Sequence, residues 1–185
     1  YIGDTIPVGI GQSFWTTTPI QLAHSLNTLV NRGERYIPQI IRGFKKADNS
    51  VDVLPLKTLR PLQFKQQENI DIVLNAMHDV VHGSEGTARS VFKDAPYQSA
   101  GKTGTAQLFS VGQDEKYDAD KVDERLRDNA MYVGYAPFEA PEISVTVVLE
   151  NAGGGSSNAA PVAREIMDFY FRDRVFDTDI AQVQP

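Results

Sequence analysis

Four consecutive residues near the middle of the chain, Lys102, Thr103, Gly104 and Thr105, combine an ammonium group, two hydroxyls and a glycine. If this stretch is a strand, side chains two apart point the same way, so both hydroxyls emerge on one face. Together with the ammonium of Lys102 they can bind a terminal carboxylate, and a backbone N–H just past the glycine can complete an oxyanion hole for acyl transfer. Glycines at positions 101 and 104 would let the backbone of a peptide substrate lie alongside the strand. The alternative is an ordinary edge lysine that prevents sheet pairing.

A serine nucleophile to go with this strand is not evident elsewhere in the chain. Ser90 and Lys93 lie one helical turn apart, a spacing that can bring an amine to a hydroxyl. However, Asp94–Pro96 would end a helix there, and Lys93 is only nine residues before Lys102. We therefore interpret the pair as a chance pattern.

Two serine–asparagine pairs are interpreted as structural. Ser25 and Asn27 fall inside a predicted helix, with Asn27 facing solvent. Ser156 and Asn158 precede another predicted helix, where such residues serve as N-caps. Gly9, Gly11 and Gln12, ahead of the first long helix, fit tight packing at least as well as substrate contact.

The elements that must position the Lys102 strand are a mixture of helices and strands. Thr18, Pro19 and Gln21 form a capping-box start for the first long helix, and Gly33 supplies its stop. Apolar periodicity and β-branched runs predict the others: an edge strand over 35–44, a helix over 63–82, strands over 99–108, 130–135 and 143–149, and a helix over 159–171. The β-branched run 143–149 is expected to be central in its sheet. This order favours an α+β fold, with an antiparallel sheet flanked by helices.

Composition and charge narrow the function classes. The net charge of −6, from 18 Lys and Arg against 24 Asp and Glu, argues against a nucleic-acid-binding protein. No apolar run is long enough to span a membrane, and the first residues show no basic region followed by an apolar stretch, so we expect no signal peptide among them. The absence of cysteine excludes thiolate metal sites, and His78 and His82 are expected to be a partly exposed helical pair rather than a zinc site. We expect no metal and no cofactor.

Residues 102–104, Lys-Thr-Gly, match one of three signatures of the active-site serine penicillin-binding proteins and related β-lactamases. The whole run 99–107 resembles the third-motif strand of that family. Other matching segments extend the resemblance over about Val8 to Tyr170, and they are Gly9–Gln12, Trp15–Ala23, Arg32–Ile40, Tyr132–Pro137, Pro141–Ile143, Val148–Asn151 and Ala159–Ala163. Within the family, the chain resembles the elongation-type class B high-molecular-weight proteins, the penicillin-binding protein 2 group, which carry an insertion similar to Tyr117–Asp128.

The resemblance implies a penicillin-binding protein/serine β-lactamase-like fold and a serine-type peptidoglycan D,D-transpeptidase. Such an enzyme cross-links stem peptides during elongation and is acylated by β-lactams. A donor peptide would lie antiparallel along residues 101–107, with Lys102 acting near the attacking serine and the Thr105 N–H helping to hold the oxyanion. The substrate-binding residues would be Thr103, Gly104, Thr105 and Gln107.

The family's nucleophile belongs to a Ser-x-x-Lys motif that is followed by Ser-x-Asn, both well upstream of the Lys-Thr-Gly strand. The chain opens at Tyr1 without them, so we expect residues 1–172 to be the C-terminal half of the transpeptidase domain, inactive alone, and 173–185 to be a tail. The implied partners are the missing N-terminal half, the stem peptide, β-lactams, and a glycosyltransferase and scaffold proteins of the elongation machinery. The implied location is the periplasmic face of the inner membrane, through an N-terminal anchor.

Two alternatives stay open. One is a D,D-carboxypeptidase or β-lactamase of the same superfamily, which would hydrolyse the acyl-enzyme instead of transferring the acyl group. The other is a non-catalytic module that binds β-lactams or peptides.

Overall fold

The computed structural model describes residues 5–9, 11–12, 16–108 and 122–173. In chain order its elements are α1 (Thr5–Gly9), α2 (Pro19–Val30), β1 (Arg35–Tyr36), β2 (Gly43–Lys45), β3 (Val51–Val53), β4 (Thr58–Leu59), α3 (Glu68–His82), α4 (Arg89–Phe92), β5 (Ala100–Ala106), β6 (Asn129–Ala136), β7 (Ile143–Leu149) and α5 (Ala160–Asp173). The 3-10 turn Glu124–Leu126 precedes β6, and the π-helical turn Gly155–Ala159 leads into α5. Trp15, the expected tail beyond Asp173 and part of the 117–128 insertion lie outside the described residues.

Strands β5, β6 and β7 form one antiparallel sheet in the order β5-β6-β7. The prediction that 143–149 is the central strand is therefore wrong for the described sheet, in which β6 is central. The β-branched run has a different cause, since Val145 and Val147 are buried on one face and both α2 and α5 contact β7. Among the residues that the structure describes, the apolar character of β7 thus goes with coverage of its faces and not with pairing at both of its edges.

Helices α2 and α3 pack on one face of the sheet. Thr18 and Gln21 form the predicted capping box, so α2 begins at Pro19 as expected. The predicted start of α3 at Gln63 is wrong, because the Leu62 N–H donates to Gly33 O (2.9 Å) and ties this segment to the end of α2. The shared apolar cluster comprises Leu26, Ile70, Leu74, Met77, Ala100 and Tyr135.

The opposite face of the sheet is covered by α4 and α5. Its buried cluster includes Phe92, Tyr132, Val145, Val147, Ala160, Ala163 and Met167. The prediction that Ser156 or Asn158 caps the last helix is wrong, because both lie inside the π-helical turn. Asn158 Nδ2 instead donates to Ala152 O (2.7 Å), which closes the preceding loop.

The predicted single strand over 35–44 is divided in the structure. β1 pairs with β4, and β2 pairs with β3, each as a separate two-stranded sheet. Pro38 lies between β1 and β2 and lacks the N–H that a continuous ladder needs. The segment presents several exposed apolar side chains, namely Ile40, Ile41, Phe44, Val51, Val53 and Leu56.

Across the described residues, no helix combines the length and apolar character that crossing a membrane requires. The same residues contain no group of three or more His, Cys, Asp or Glu side chains arranged to hold a metal ion.

Candidate active site

Strand β5, which carries the Lys-Thr-Gly sequence, lies at one edge of the sheet. Within the part of the chain that the structure describes, it pairs only with β6, so its other edge is open. Lys102, Thr105 and Gln107 are exposed there, whereas Gly101 is buried. An open edge of this kind can accept an extended peptide as an additional strand.

The side chains of Lys102 and the two threonines leave β5 on opposite faces. Thr103 lies opposite Tyr132 and Thr105 opposite Ala130, while Lys102 lies opposite Val133. Both hydroxyls therefore share one face, as the sequence predicts, and Lys102 starts from the face that α2 and α3 cover. Its ammonium reaches back to the open edge, where Nζ donates to Thr103 O at 2.7 Å.

Backbone groups of Thr103 and Thr105 point to the open edge. Each of their carbonyl oxygens accepts a side-chain donor: Lys102 Nζ for Thr103, and Gln12 Nε2 for Thr105 at 2.9 Å. Because the N–H and C=O of one residue in an antiparallel strand point the same way, the Thr105 N–H also faces the open edge. That is the orientation an oxyanion donor requires. Gln12 is thus placed at the open edge of β5, although the sequence around it fits simple packing at least as well.

Both hydroxyls on the threonine face have partners. Thr103 Oγ1 lies 2.8 Å from Thr87 Oγ1 in the turn that follows α3. Thr105 Oγ1 accepts the N–H of Gly155 at 3.4 Å. Neither partner was recognised from the sequence, because each depends on a contact between residues far apart in the chain.

The two glycines of β5 differ in how tightly the fold packs around them. A Cβ on Gly101 would overlap the phenol of Tyr132, which is fully buried, and would lie 2.9 Å from Val133 O. At Gly104 a Cβ would meet Met131 Cβ at 3.3 Å, and the backbone of Gly155 packs directly against this residue. For Gly101, the expectation that the glycine exists to admit a substrate backbone therefore has a simpler explanation in the fold.

His82 forms a hydrogen bond with the residue that directly precedes β5. Ser99 N–H donates to His82 Nε2 at 3.1 Å, so this nitrogen acts as an acceptor and the imidazole is neutral. Burial, followed by the nearby His78, lowers the pKa of His82 below its ordinary value. The i, i+4 spacing of the two histidines could have indicated a shared environment on α3, but not this bond to the strand.

The other candidate serines are not brought to the open edge of β5. Ser90 and Lys93 are both exposed at α4, a helix of only four residues. Ser25 Oγ donates to Gln21 O within α2 (2.9 Å), and Asn27 is exposed as predicted. These positions agree with their interpretation as structural or chance patterns.

An apolar groove of about 510 Å³ lies between α2 and α3, and Lys102 lines one part of it. Ile72 and Val73 on its α3 side are 65% and 45% exposed. Its other lining side chains are almost all aliphatic and include Leu22, Leu26, Leu29, Met77 and Val133. The groove therefore leaves an apolar surface, uncovered within the described residues, beside the side chain of Lys102.

A sheet covered by helices on both faces, with a Lys-Thr-Gly strand at its open edge, defines the class of this protein. The sequence model of the penicillin binding protein transpeptidase domain matches residues 1–168, and the chain belongs to that family. Its fold is accordingly the α+β fold of penicillin-binding protein transpeptidase domains.

Individual relatives agree with this assignment. The chain is 44% identical over 174 residues to the peptidoglycan D,D-transpeptidase MrdA of Haemophilus influenzae, covering 94% of this chain and 26% of that protein. It is 37% identical over 169 residues to MrdA of Escherichia coli, covering 91% and 26%. A crystal structure of Pseudomonas aeruginosa PBP2 in complex with WCK 5153 is similar with a TM-score of 0.71 and 37% identity, covering 92% of this chain and 34% of that one. The chain thus spans about a quarter of the length of these curated relatives.

Proposed function

We propose that this chain is the C-terminal half of the transpeptidase domain of an elongation-type peptidoglycan D,D-transpeptidase, which β-lactams acylate. The observation that carries the proposal is the open edge of β5, where one ammonium, two hydroxyls and one outward N–H lie within three residues of Gly104. This combination suits a peptide that ends in a carboxylate and reacts through an oxyanion. The names of the relatives support the same chemistry.

Each group on the edge has a role in this proposal. The donor peptide adds to β5 as an antiparallel strand along residues 101–107, with Gly104 and Gln107 among its contacts. The hydroxyls of Thr103 and Thr105 donate to the terminal carboxylate, and the Thr105 N–H donates to the oxyanion. Lys102 must give up its bond to Thr103 O, made at 2.7 Å, to act near the attacking serine.

The serine comes from polypeptide outside this chain, in a half that carries the Ser-x-x-Lys and Ser-x-Asn motifs. We place its docking surface on the groove between α2 and α3, because this groove is apolar and Lys102 lines it. Covering exposed apolar surface stabilises an association by roughly 25 cal/mol for each Å² removed from water. A serine that docks there would approach the β5 edge from the side of the ammonium.

Labelling with a fluorescent penicillin tests the proposal. The isolated chain should remain unlabelled after denaturing electrophoresis, whereas the chain joined to a Ser-x-x-Lys half should carry one covalent label. Replacing the serine of that half by alanine is the matched control and should abolish the label. A labelled isolated chain would place a nucleophile within these residues and refute the proposal.

The type of reaction needs a separate assay, because a carboxypeptidase or β-lactamase of the superfamily would also be acylated. With a donor stem peptide and an amine acceptor, the joined domain should form the cross-linked product in preference to the hydrolysed one. Hydrolysis alone would favour the carboxypeptidase. Binding without any covalent product would favour a non-catalytic module.

The cellular setting follows from the family resemblance. We place the complete protein at the periplasmic face of the inner membrane, held by an N-terminal anchor, with a polymerising glycosyltransferase and scaffold proteins as partners. Fractionation of cells that express the tagged complete protein tests this placement. Recovery in the cytoplasmic fraction would contradict it.

A further inference from the structure

Thr87 lies beside the proposed carboxylate site without belonging to β5. Its Oγ1 is 2.8 Å from Thr103 Oγ1, although the two residues are 16 positions apart. We propose that Thr87 is a positioning residue, which orients the Thr103 hydroxyl so that its hydrogen points at the substrate carboxylate. This inference rests on the proposed function, because it assigns a partner to one of the carboxylate-binding groups.

The turn that presents Thr87 is firmly held. The Gly86 N–H donates to Gly83 O at 3.1 Å, and the Ala88 N–H donates to Val80 O at 3.0 Å. Ala88 is completely buried, which fixes the residue next to Thr87. A Cβ on Gly86 would lie 2.5 Å from Val80 O, so only glycine fits this turn. Thr87 is therefore held beside β5 by the hydrogen bonds and the burial of its two neighbours.

The number of hydrogens on each hydroxyl determines which of the two threonines donates in this hydrogen bond. A threonine hydroxyl has one hydrogen and two acceptor lone pairs, while an ionised carboxylate can only accept. If Thr103 donates its hydrogen to the carboxylate, its bond with Thr87 can persist only with Thr87 as the donor. The resulting chain runs from the Thr87 hydroxyl to the Thr103 hydroxyl to the carboxylate. Successive bonds in such a chain polarise and strengthen one another.

Thr105 has an equivalent arrangement, which supports the same interpretation. Its Oγ1 accepts the N–H of Gly155 at 3.4 Å, and an N–H can only donate. The hydrogen of the Thr105 hydroxyl is consequently left for another acceptor. With Thr87 as a donor, both threonines of the site have a donor behind them and present their own hydrogen to an anion.

A purely structural role for Thr87 would have different consequences. A bond that only ties the turn to β5 would affect acylation by every β-lactam alike. A positioning role concerns only ligands that carry the anion. The comparison of a penicillin with its own methyl ester separates the two roles, since the ester keeps the reactive ring and removes the negative charge.

The test uses the joined transpeptidase domain and measures the second-order rate of acylation by the acid and by the ester. Thr87→Val keeps the shape of the side chain and removes the hydroxyl. It should lower the rate with the acid about three- to tenfold, which is the effect expected from the loss of one hydrogen bond. The rate with the ester should stay within about twofold of that of the unsubstituted domain. Thr87→Ser should restore the rate with the acid. Ser84→Ala, an exposed position in the same turn, should change neither rate.

The ratio of the two rates is measured within each variant, so a loss of folded protein scales both rates and leaves the ratio unchanged. An unchanged acid-to-ester ratio in Thr87→Val would overturn the inference. Thr103→Val should lower the same ratio at least as much. If Thr103→Val left the ratio unchanged, carboxylate recognition by β5 would itself be wrong, and with it the proposed function.

Discussion

Gly155 offers a sharp test of how the fold supports the candidate site. This residue begins the π-helical turn and lies against β5, where an added Cβ would overlap the carbonyl oxygens of Gly104 and Met131 and lie 2.9 Å from Gly104 N. All three atoms belong to backbone, so no side chain can move aside. Because unbonded carbon and oxygen normally stay about 3.3 Å apart or more, Gly155→Ala must move the turn and β5 apart by roughly 1 Å.

Two consequences of Gly155→Ala can be measured. Overpacking of this kind destabilises a protein by about 1–3 kcal/mol, which thermal or urea denaturation of the joined domain will detect. A displacement of about 1 Å at a reacting group can cost on the order of 100-fold in rate, which should appear as slower acylation by a fluorescent penicillin.

The neighbouring glycine is the matched control. A Cβ on Gly154 would meet only Ser157 Oγ, at 3.0 Å, and this flexible side chain can rotate away. Gly154→Ala should therefore keep nearly the stability and acylation rate of the unsubstituted domain. If Gly155→Ala behaved like Gly154→Ala, the close contact of the π-helical turn with β5 would not hold the strand in place.

Three further predictions concern the strand entrance, the groove and the oxyanion donor. Because the pKa of His82 is lowered in the folded state, the unfolded state binds more protons below about pH 6.5, and stability falls as the pH drops from 7 to 5. In His82→Gln the melting temperature should fall less over this range. An equal fall in the two proteins would contradict the role assigned to His82. Ile72→Glu should destabilise the joined domain by about 2 kcal/mol or more, because it buries an unpaired charge in the proposed docking groove. Ile40→Glu, at a fully exposed residue, should not destabilise it. Equal melting temperatures of these two variants would exclude the groove as the docking surface. Thr105→Pro removes the outward N–H, whereas Thr105→Val keeps it, so the proline variant should be acylated about 100-fold more slowly than the valine variant. Equal rates of acylation would exclude this N–H as the oxyanion donor.

Local signals predicted the parts of the fold that depend on a few neighbouring residues. Thr18 and Gln21 satisfy each other across one helical turn, so the start of α2 could be predicted without tertiary structure. The small residues of 99–108 likewise predict a strand, and the glycines within it predict an edge. The helix start is decided by residues three positions apart, whereas the edge position of β5 also depends on its pairing with β6.

The features of the fold and of the site that depend on long-range contacts could not be predicted from the sequence. A β-branched run such as that of β7 fits a central strand and also an edge strand covered by helices on both faces. Its position in the sheet could therefore not be predicted. Thr87 and Gly155 look like ordinary turn residues until the fold brings them to β5. Gly101 was assigned to substrate access because the phenol that fills its side-chain space belongs to Tyr132, 31 positions away.

In the proposed function the ammonium at the open edge of β5 takes part in acylation, and one pair of variants measures this contribution. In the joined domain, Lys102→Ala should lower the rate of labelling by a fluorescent penicillin at least about 100-fold, the contribution expected of a group that assists proton transfer. Lys93→Ala, which alters the exposed lysine of the Ser90 pair, should leave the rate unchanged. A full rate in Lys102→Ala would exclude this role of Lys102, and a loss of rate in Lys93→Ala would assign a role to the Ser90 pair.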